Sequence, residues 1–251
     1  MKKFIYIIAS ILCTYNSKAQ QDSIPLGVVT YIQQSNLPGD EQNNGYATLL
    51  FNPTNSLYIQ NSAPRSDSSF LVADTQVSVS GDKQGFPIYK AHQKRRLISR
   101  ISCRDATDHC IVRDTFGNIA WSLQPEHKKF GQFDCRRATG KFRGRMYEAW
   151  YAPDIPVPSG PFKLGGLPGL ILEAQTLDGK VKFLFKSLML SASSKITGTI
   201  RPPAGNALKV DQETYERETD AFTESLIREY KAKGVEVSIT RQETIEIWNE
   251  R

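Results

Sequence analysis

The side chains able to do covalent or metal chemistry in this chain are few. They are Cys103, His109 and Cys110 close together in sequence, Cys135 beside Asp134, and two further histidines, His92 and His127. Sulfur with imidazole suits zinc or copper. The spacing C-x5-H-C, however, matches none of the compact zinc patterns, and no H-E-x-x-H pair is present. Nucleophilic catalysis needs a nucleophile, a base and an orienting group in contact. Cys135 with a histidine and Asp134 supplies the residue types, yet no G-x-S-x-G elbow or cysteine-protease signature surrounds them. One reading assigns all three cysteines of the mature chain. In an oxidising compartment Cys103 and Cys110 close a hairpin as a disulfide across the polar turn Arg104–His109. Cys135 is then the odd thiol, and a buried, inert one is the ordinary expectation. No metal and no cofactor is expected on these grounds.

A second group is aromatic. Trp121, Tyr147, Trp150, Tyr151 and Phe162 flank the run Ile155-Pro-Val-Pro-Ser-Gly-Pro-Phe-Lys-Leu-Gly-Gly-Leu-Pro-Gly-Leu-Ile171. Rings give a large contact area with a polar handle, so they line pockets as readily as they fill sheet faces. The run itself holds four prolines and four glycines, a density that no helix or central strand tolerates. It must be a shaped corner. No lysine-serine pair follows its glycines and no helix begins there, which excludes a Walker-type phosphate loop. Candidate ligand or partner contacts are therefore Trp121, Trp150, Tyr151, Pro161, Phe162, Gly166, Leu167, Pro168 and Gly169. The competing reading makes Leu167, Leu170 and Ile171 core anchors of a rigid turn.

The corner and its flanks (Ala149-Trp-Tyr151, Asp154-Ile-Pro156, Gly160-Pro-Phe162, Leu172-Glu173, with Cys135-Arg-Arg-Ala138 and Phe142-Arg-Gly-Arg145 upstream) resemble the GLPGLI family of exported Bacteroidota proteins. The resemblance spans roughly residues 120–190. It implies an envelope location, a β-rich fold and work alongside an outer-membrane transporter of the TonB type, without a settled biochemical activity.

Elements able to position these residues can be read from periodicity. Short runs separated by turn residues predict strands over Leu26–Gln33, Tyr46–Phe51 and Ser56–Gln60, the last two joined by Asn52-Pro-Thr-Asn55. Weaker fragments occupy Val77–Val79 and Phe86–Tyr89, with a polar loop at 61–69 before them. Leu97–Ser102, Ile111–Phe116 and Ile119–Leu123 follow. Lys141 to Met146 alternates in period two and is expected to run on into Tyr151 as one strand. Leu170–Gln175 and Lys180–Leu190 flank Asp178-Gly179, a hairpin signal. Tyr215, Phe222, Leu226 and Tyr230 recur at helical spacing, and Gly234 supplies a C-cap for a helix over 211–233. Val235–Thr240 reads as a short closing strand. The fold class expected is mainly β: a curved antiparallel sheet, or an open barrel-like one, with one long C-terminal helix packed on it through the aromatic stripe.

The N-terminus reads as a secretory signal, with Lys2-Lys3, an apolar stretch Phe4–Tyr15 and the cleavage site Ser17-Lys-Ala19. A single β-rich domain over 20–251 follows, exported to the periplasm and soluble after cleavage. Removing residues 1–19 deletes three lysines and no acid, so the formal net charge falls from +6 to +3. No nucleic-acid-binding module accompanies the basic residues, and nucleic acid is not an expected partner. Two functions stand. The first is a periplasmic binding or accessory protein for a transporter, a peptide or an apolar ligand. The second is a secreted hydrolase or peptidase using Cys135, or a metal at Cys103, His109 and Cys110.

Overall fold

A computed structural model of the chain describes residues 26–37, 45–60, 69–72, 75–78, 86–102, 109–115, 118–190, 200–204 and 208–232. The signal segment, Cys103, most of the 61–69 loop and everything after Ala232 lie outside the described residues, so the expectations placed there are untouched.

The strands, in chain order, are β1 Gly27–Ser35, β2 Gly45–Phe51, β3 Asn55–Gln60, β4 Ser69–Val72, β5 Thr75–Ser78, β6 Phe86–Ala91, β7 Arg96–Ser102 and β8 His109–Thr115. They continue with β9 Ser122–Phe130, β10 Phe133–Phe142, β11 Arg145–Ala152, β12 Leu170–Thr176, β13 Val181–Leu190 and β14 Leu208–Asp211. Helix α1, Gln212–Ala232, follows. Twelve strands form one sheet in the order β14-β8-β7-β6-β3-β2-β1-β13-β12-β11-β10-β9, and β4 pairs with β5 alone. The described pairs are antiparallel except β14 with β8. The protein is mainly β, as the turn-punctuated pattern requires.

Both short-range hairpin signals hold. Asn52 Oδ1 accepts from the amides of Thr54 (3.0 Å) and Asn55 (2.8 Å), closing the β2–β3 turn. Gly179 takes φ 69° in the β12–β13 turn. The expectation of one strand from Lys141 through Tyr151 fails. Arg143 (φ 48°) and Gly144 (φ 75°) form a two-residue turn, and Phe142 pairs back onto Arg145. Positive φ at both turn residues matches the right-handed strand twist, and glycine at the second position provides it. Strand β9 takes in only Ser122 and Leu123 of the expected Ile119–Leu123 run and extends on to Phe130. It is polar and exposed over most of its length, because it is a sheet edge, where Pro125 is tolerated and no alternation is imposed.

One face of the sheet carries the larger apolar cluster, built from Val29, Tyr31, Leu49, Tyr58, Ile88 and Leu97 together with residues of β10–β12 and of the corner. The other face holds a smaller one, Val28, Leu50, Leu57, Ile59, Tyr89, Ala91 and Ile200. Asp211, the residue before helix α1, caps it, its Oδ1 accepting the Thr214 amide at 2.7 Å. It meets β8 and β14 at one end of the sheet. Phe222 stays 38% exposed there, so the expected aromatic stripe does not bury at that position.

Candidate functional site

The corner between β11 and β12 is driven inward by its own side chains. Ile155, Val157, Leu164, Leu167, Leu170 and Ile171 are buried in the larger cluster. With so many prolines the segment cannot form a ladder, and its amides find partners within the corner. Leu170 N donates to Ile155 O (2.9 Å), Ile171 N to Ser159 O (2.9 Å) and Gly166 N to Pro158 O (3.2 Å). The glycines answer close approaches. A Cβ on Gly169 would stand 2.3 Å from the Ala152 carbonyl oxygen, and one on Gly160 would stand 2.7 Å from Ile171 Cβ. Gly166 takes φ 88°, a left-handed conformation.

Four polar side chains of the sheet hold the corner from beneath. Lys90 on β6 has no exposed surface, and its Nζ donates to Gly160 O (2.6 Å) and Leu164 O (2.9 Å). Tyr31 OH donates to Ile171 O at 2.7 Å. The Ser56 and Ser159 hydroxyls lie 2.7 Å apart, and His92 Nε2 is 3.1 Å from Ser56 Oγ. His92 Nδ1 sits 3.2 Å from the Pro53 carbonyl, which fixes Nδ1 as the protonated nitrogen and leaves Nε2 to accept. Burial lowers the Lys90 pKa well below the ordinary lysine value. It also takes His92 down to about 4, with the Lys90 charge adding to the effect. A further anchor is ionic. Asp114 Oδ2 on β8 accepts from Arg143 Nη2 at 2.5 Å and stands 3.5 Å from Lys163 Nζ of the corner.

The outer side of the corner is different. Trp121 is half-buried, and its Nε1 donates to Gly165 O at 2.9 Å. Gly166 and Pro168 beside it are exposed. Of the candidate contacts, Trp121, Gly166 and Pro168 thus form an accessible rim, and Phe162, half-buried with φ 49°, stacks inward on Phe183 at 6.3 Å. Pro161, Leu167, Gly169 and Tyr151 are buried. Trp150 stands apart from the rim: its Nε1 donates to Glu148 (3.3 Å) and Lys128 Nζ lies 5.6 Å from its ring centroid.

Cys135 is fully buried, and burial, with help from Asp134, Asp154 and Glu173, pushes its thiol up to about 12. Such a thiol supplies no thiolate near neutral pH. Its sequence neighbour Asp134 instead meets His127 Nδ1 at 3.1 Å on the surface. Cys110 is buried on β8 opposite Ile101, and His109 pairs with Ser102. Among the described residues no three His, Cys, Asp or Glu side chains gather closely enough to hold a metal ion.

Lys90, Ser56, Asp114 and Arg143 escape the sequence reading, which names His92 only as a possible catalytic base. Lys90 carried a usable signal: it shares the parity of buried Ile88 in Ile88-Tyr-Lys90, where a lysine must find partners inside the core. Asp114 and Arg143 are far apart in sequence and gave none.

No curated protein is similar to the chain by sequence. Solved structures share its fold, and two of them are the following. "Structure of PNGF-II in P21 space group" aligns at TM-score 0.54 with 14% identity, over 79% of this chain and 34% of that one. "Structure of PNGF-II in C2 space group" aligns at TM-score 0.51 with 15% identity, over 78% and 33%. The chain therefore spans about a third of the length of those structures. Residues 141–173, which contain the β10–β11 turn, β11, the corner and the start of β12, match the family described as "Protein of unknown function (Porph_ging)".

Proposed function

We propose that this is an exported envelope protein of the GLPGLI kind, one domain over residues 20–251, that binds a peptide, an apolar ligand or an outer-membrane transporter of the TonB type. The observation that carries this reading is the two-sided corner. Its underside is locked by apolar burial and by Lys90, Tyr31 and Ser56. Its outer side presents Trp121, Gly166 and Pro168 on that rigid base. A pre-organised rim with an aromatic anchor binds at low entropic cost. The hydrolase reading draws no support from Cys135, whose thiol is buried.

A curved sheet belongs to the same proposal. Strand β8 is second in the sheet order and β9 is twelfth, ten steps away. At about 4.8 Å per step a flat sheet separates them by roughly 48 Å. Thr115 and Ser122 are joined by seven Cα steps, which reach at most about 25 Å when extended. The Arg143–Asp114 contact, from the β10–β11 turn to β8, supports the same curl. The disulfide Cys103–Cys110 is likewise proposed, and it leaves Cys135 as the thiol titrated after denaturation of the mature chain.

A photo-crosslinking residue replacing Trp121 or Pro168 tests the binding reading in cells. The expected product is a discrete adduct with an outer-membrane β-barrel or an envelope peptide, absent when the crosslinker is placed at exposed Lys129 on β9. Identical adduct patterns from both faces overturn it. Mass analysis of the secreted chain checks cleavage after Ala19.

A further inference from the structure

We propose that the face of the β7–β8 hairpin turned away from the corner docks on an anionic phospholipid surface. This inference does not depend on the binding role of the corner. The pairing of β7 with β8 puts Arg96 opposite Thr115, Ile98 opposite Arg113 and Arg100 opposite Ile111. Partners share a face, so Arg96, Arg100 and Arg113 lie on one side of the hairpin, and Leu97, Ser99 and Val112 point into the core. Arg113 is diagonal to both other arginines, at about 7–8 Å between Cα atoms. Lys94 in the preceding turn extends this basic edge, and Lys209 of β14, in register with Ile111, continues it on the far side. Lys94, Arg96, Arg113 and Lys209 are all exposed.

Like charges packed on one sheet face repel, and a stable surface normally intersperses acids among them. Here the two nearest carboxylates on these strands are committed elsewhere. Asp114 faces the core and holds Arg143 and Lys163. Asp211, beside Arg113, caps helix α1 through the Thr214 amide. Among the described residues no carboxylate pairs with Lys94, Arg96, Arg113 or Lys209.

The charge pattern selects the occupant. The cations are spread over a turn and three strands, at a spacing comparable to that of neighbouring lipid headgroups, and they are not gathered round a pocket. A single small anion would reach one of them at a time, whereas a plane of phosphates reaches all of them. Arginine also meets phosphate through a planar fork, which suits headgroups better than dispersed side-chain carboxylates. Ile98, half-buried between the arginines, packs against the smaller apolar cluster, and Ile111 on the same side is buried, so what this face offers a partner is its basic side chains.

Flotation of the purified protein with vesicles tests this. Phosphatidylcholine vesicles containing phosphatidylglycerol are expected to carry the protein at low salt, and pure phosphatidylcholine vesicles are not. Raising the salt from about 0.1 to about 0.5 M should release it, as screening shortens the Debye length to about 4 Å. Each basic residue near such a surface is worth roughly fivefold in affinity, so Arg96→Glu with Arg113→Glu should weaken binding at least about twentyfold. The charge-matched control Lys129→Glu with Arg136→Glu, on exposed positions of β9 and β10, should leave binding within about twofold. Circular dichroism checks the fold, and Arg96→Gln with Arg113→Gln replaces the reversal if that variant unfolds. Equal losses in the control pair would reduce the effect to net charge and overturn the proposal. So would binding to immobilised polyglutamate with no binding to anionic vesicles, which would assign the face to an acidic protein.

Discussion

Single residues beneath the corner set its response to acid. His92 is held neutral by burial, with its pKa at about 4 against an ordinary value of 6.5. The unfolded chain therefore takes up the proton first as pH falls. The stabilisation is fully present above about pH 6.5 and is lost as pH drops toward 4, up to on the order of 3 kcal/mol. His92→Gln removes that titration. Denaturant midpoints measured between pH 4 and 7 should fall less steeply for this variant than for the natural chain, and parallel curves would show that His92 is not the sensitive group. Lys90 poses a question of magnitude. Its desolvation opposes folding, but Lys90→Met leaves the carbonyls of Gly160 and Leu164 without their donor. Unpaired buried acceptors cost about 1–3 kcal/mol each, so a net loss of roughly 2 kcal/mol is expected after relief of the buried charge. A rise in melting temperature for Lys90→Met would mean that desolvation wins.

At the scale of elements, the corner depends on where a Cβ cannot go. Gly131 in the β9–β10 turn has φ 59°, but a Cβ added there would meet nothing within 4 Å, so Gly131→Ala carries only the left-handed strain of about 1–2 kcal/mol. Gly169→Ala places a Cβ 2.3 Å from the Ala152 carbonyl oxygen, against backbone that cannot swing aside. It should cost clearly more than Gly131→Ala, and thermal unfolding of the two variants side by side checks the order. Legibility varied with the same physics. The turns at Asn52–Asn55 and Asp178–Gly179 show in the sequence because local side-chain chemistry makes them. The Arg143–Gly144 turn was equally local, yet Lys141, Arg143 and Arg145 alternate with Phe142, Gly144 and Met146 so regularly that strand period hid it. Strand β14, the parallel partner of β8, was not legible, since a four-residue Leu-Lys-Val-Asp run is defined by its partner. Of the candidate contacts, Trp121, Gly166 and Pro168 are accessible, and Pro161, Leu167, Gly169 and Tyr151 are buried, because alternation and corner geometry decide burial and the residue types alone do not.

For the whole molecule, the decisive tie joins parts of the sheet that are far apart in strand order. Asp114 on the second strand meets Arg143 in the turn between the tenth and eleventh, and Lys163 of the corner stands beside Asp114 as well. The side chains of Asp114, Arg143 and Lys163 are 8%, 11% and 7% exposed, so water screens them little. Removing the acid alone takes away the carboxylate that two buried cations share, which costs up to about 3–5 kcal/mol. Asp114→Asn should therefore unfold far more easily than a substitution of an exposed pair such as His127 with Asp134, where about 0–1 kcal/mol is at stake. Arg143→Met on its own removes one of the two cations and leaves Lys163 to neutralise Asp114, so its cost should be smaller. A double-mutant cycle over Asp114→Asn and Arg143→Met, followed by chemical denaturation, should give a coupling of at least about 1 kcal/mol, because the second substitution removes a buried charge that the first deprives of its carboxylate. Additive effects would mean that the contact contributes nothing to the proposed curl of the sheet. In that case the linker from Thr115 to Ser122, too short for a flat sheet, would carry the curl by covalent length alone.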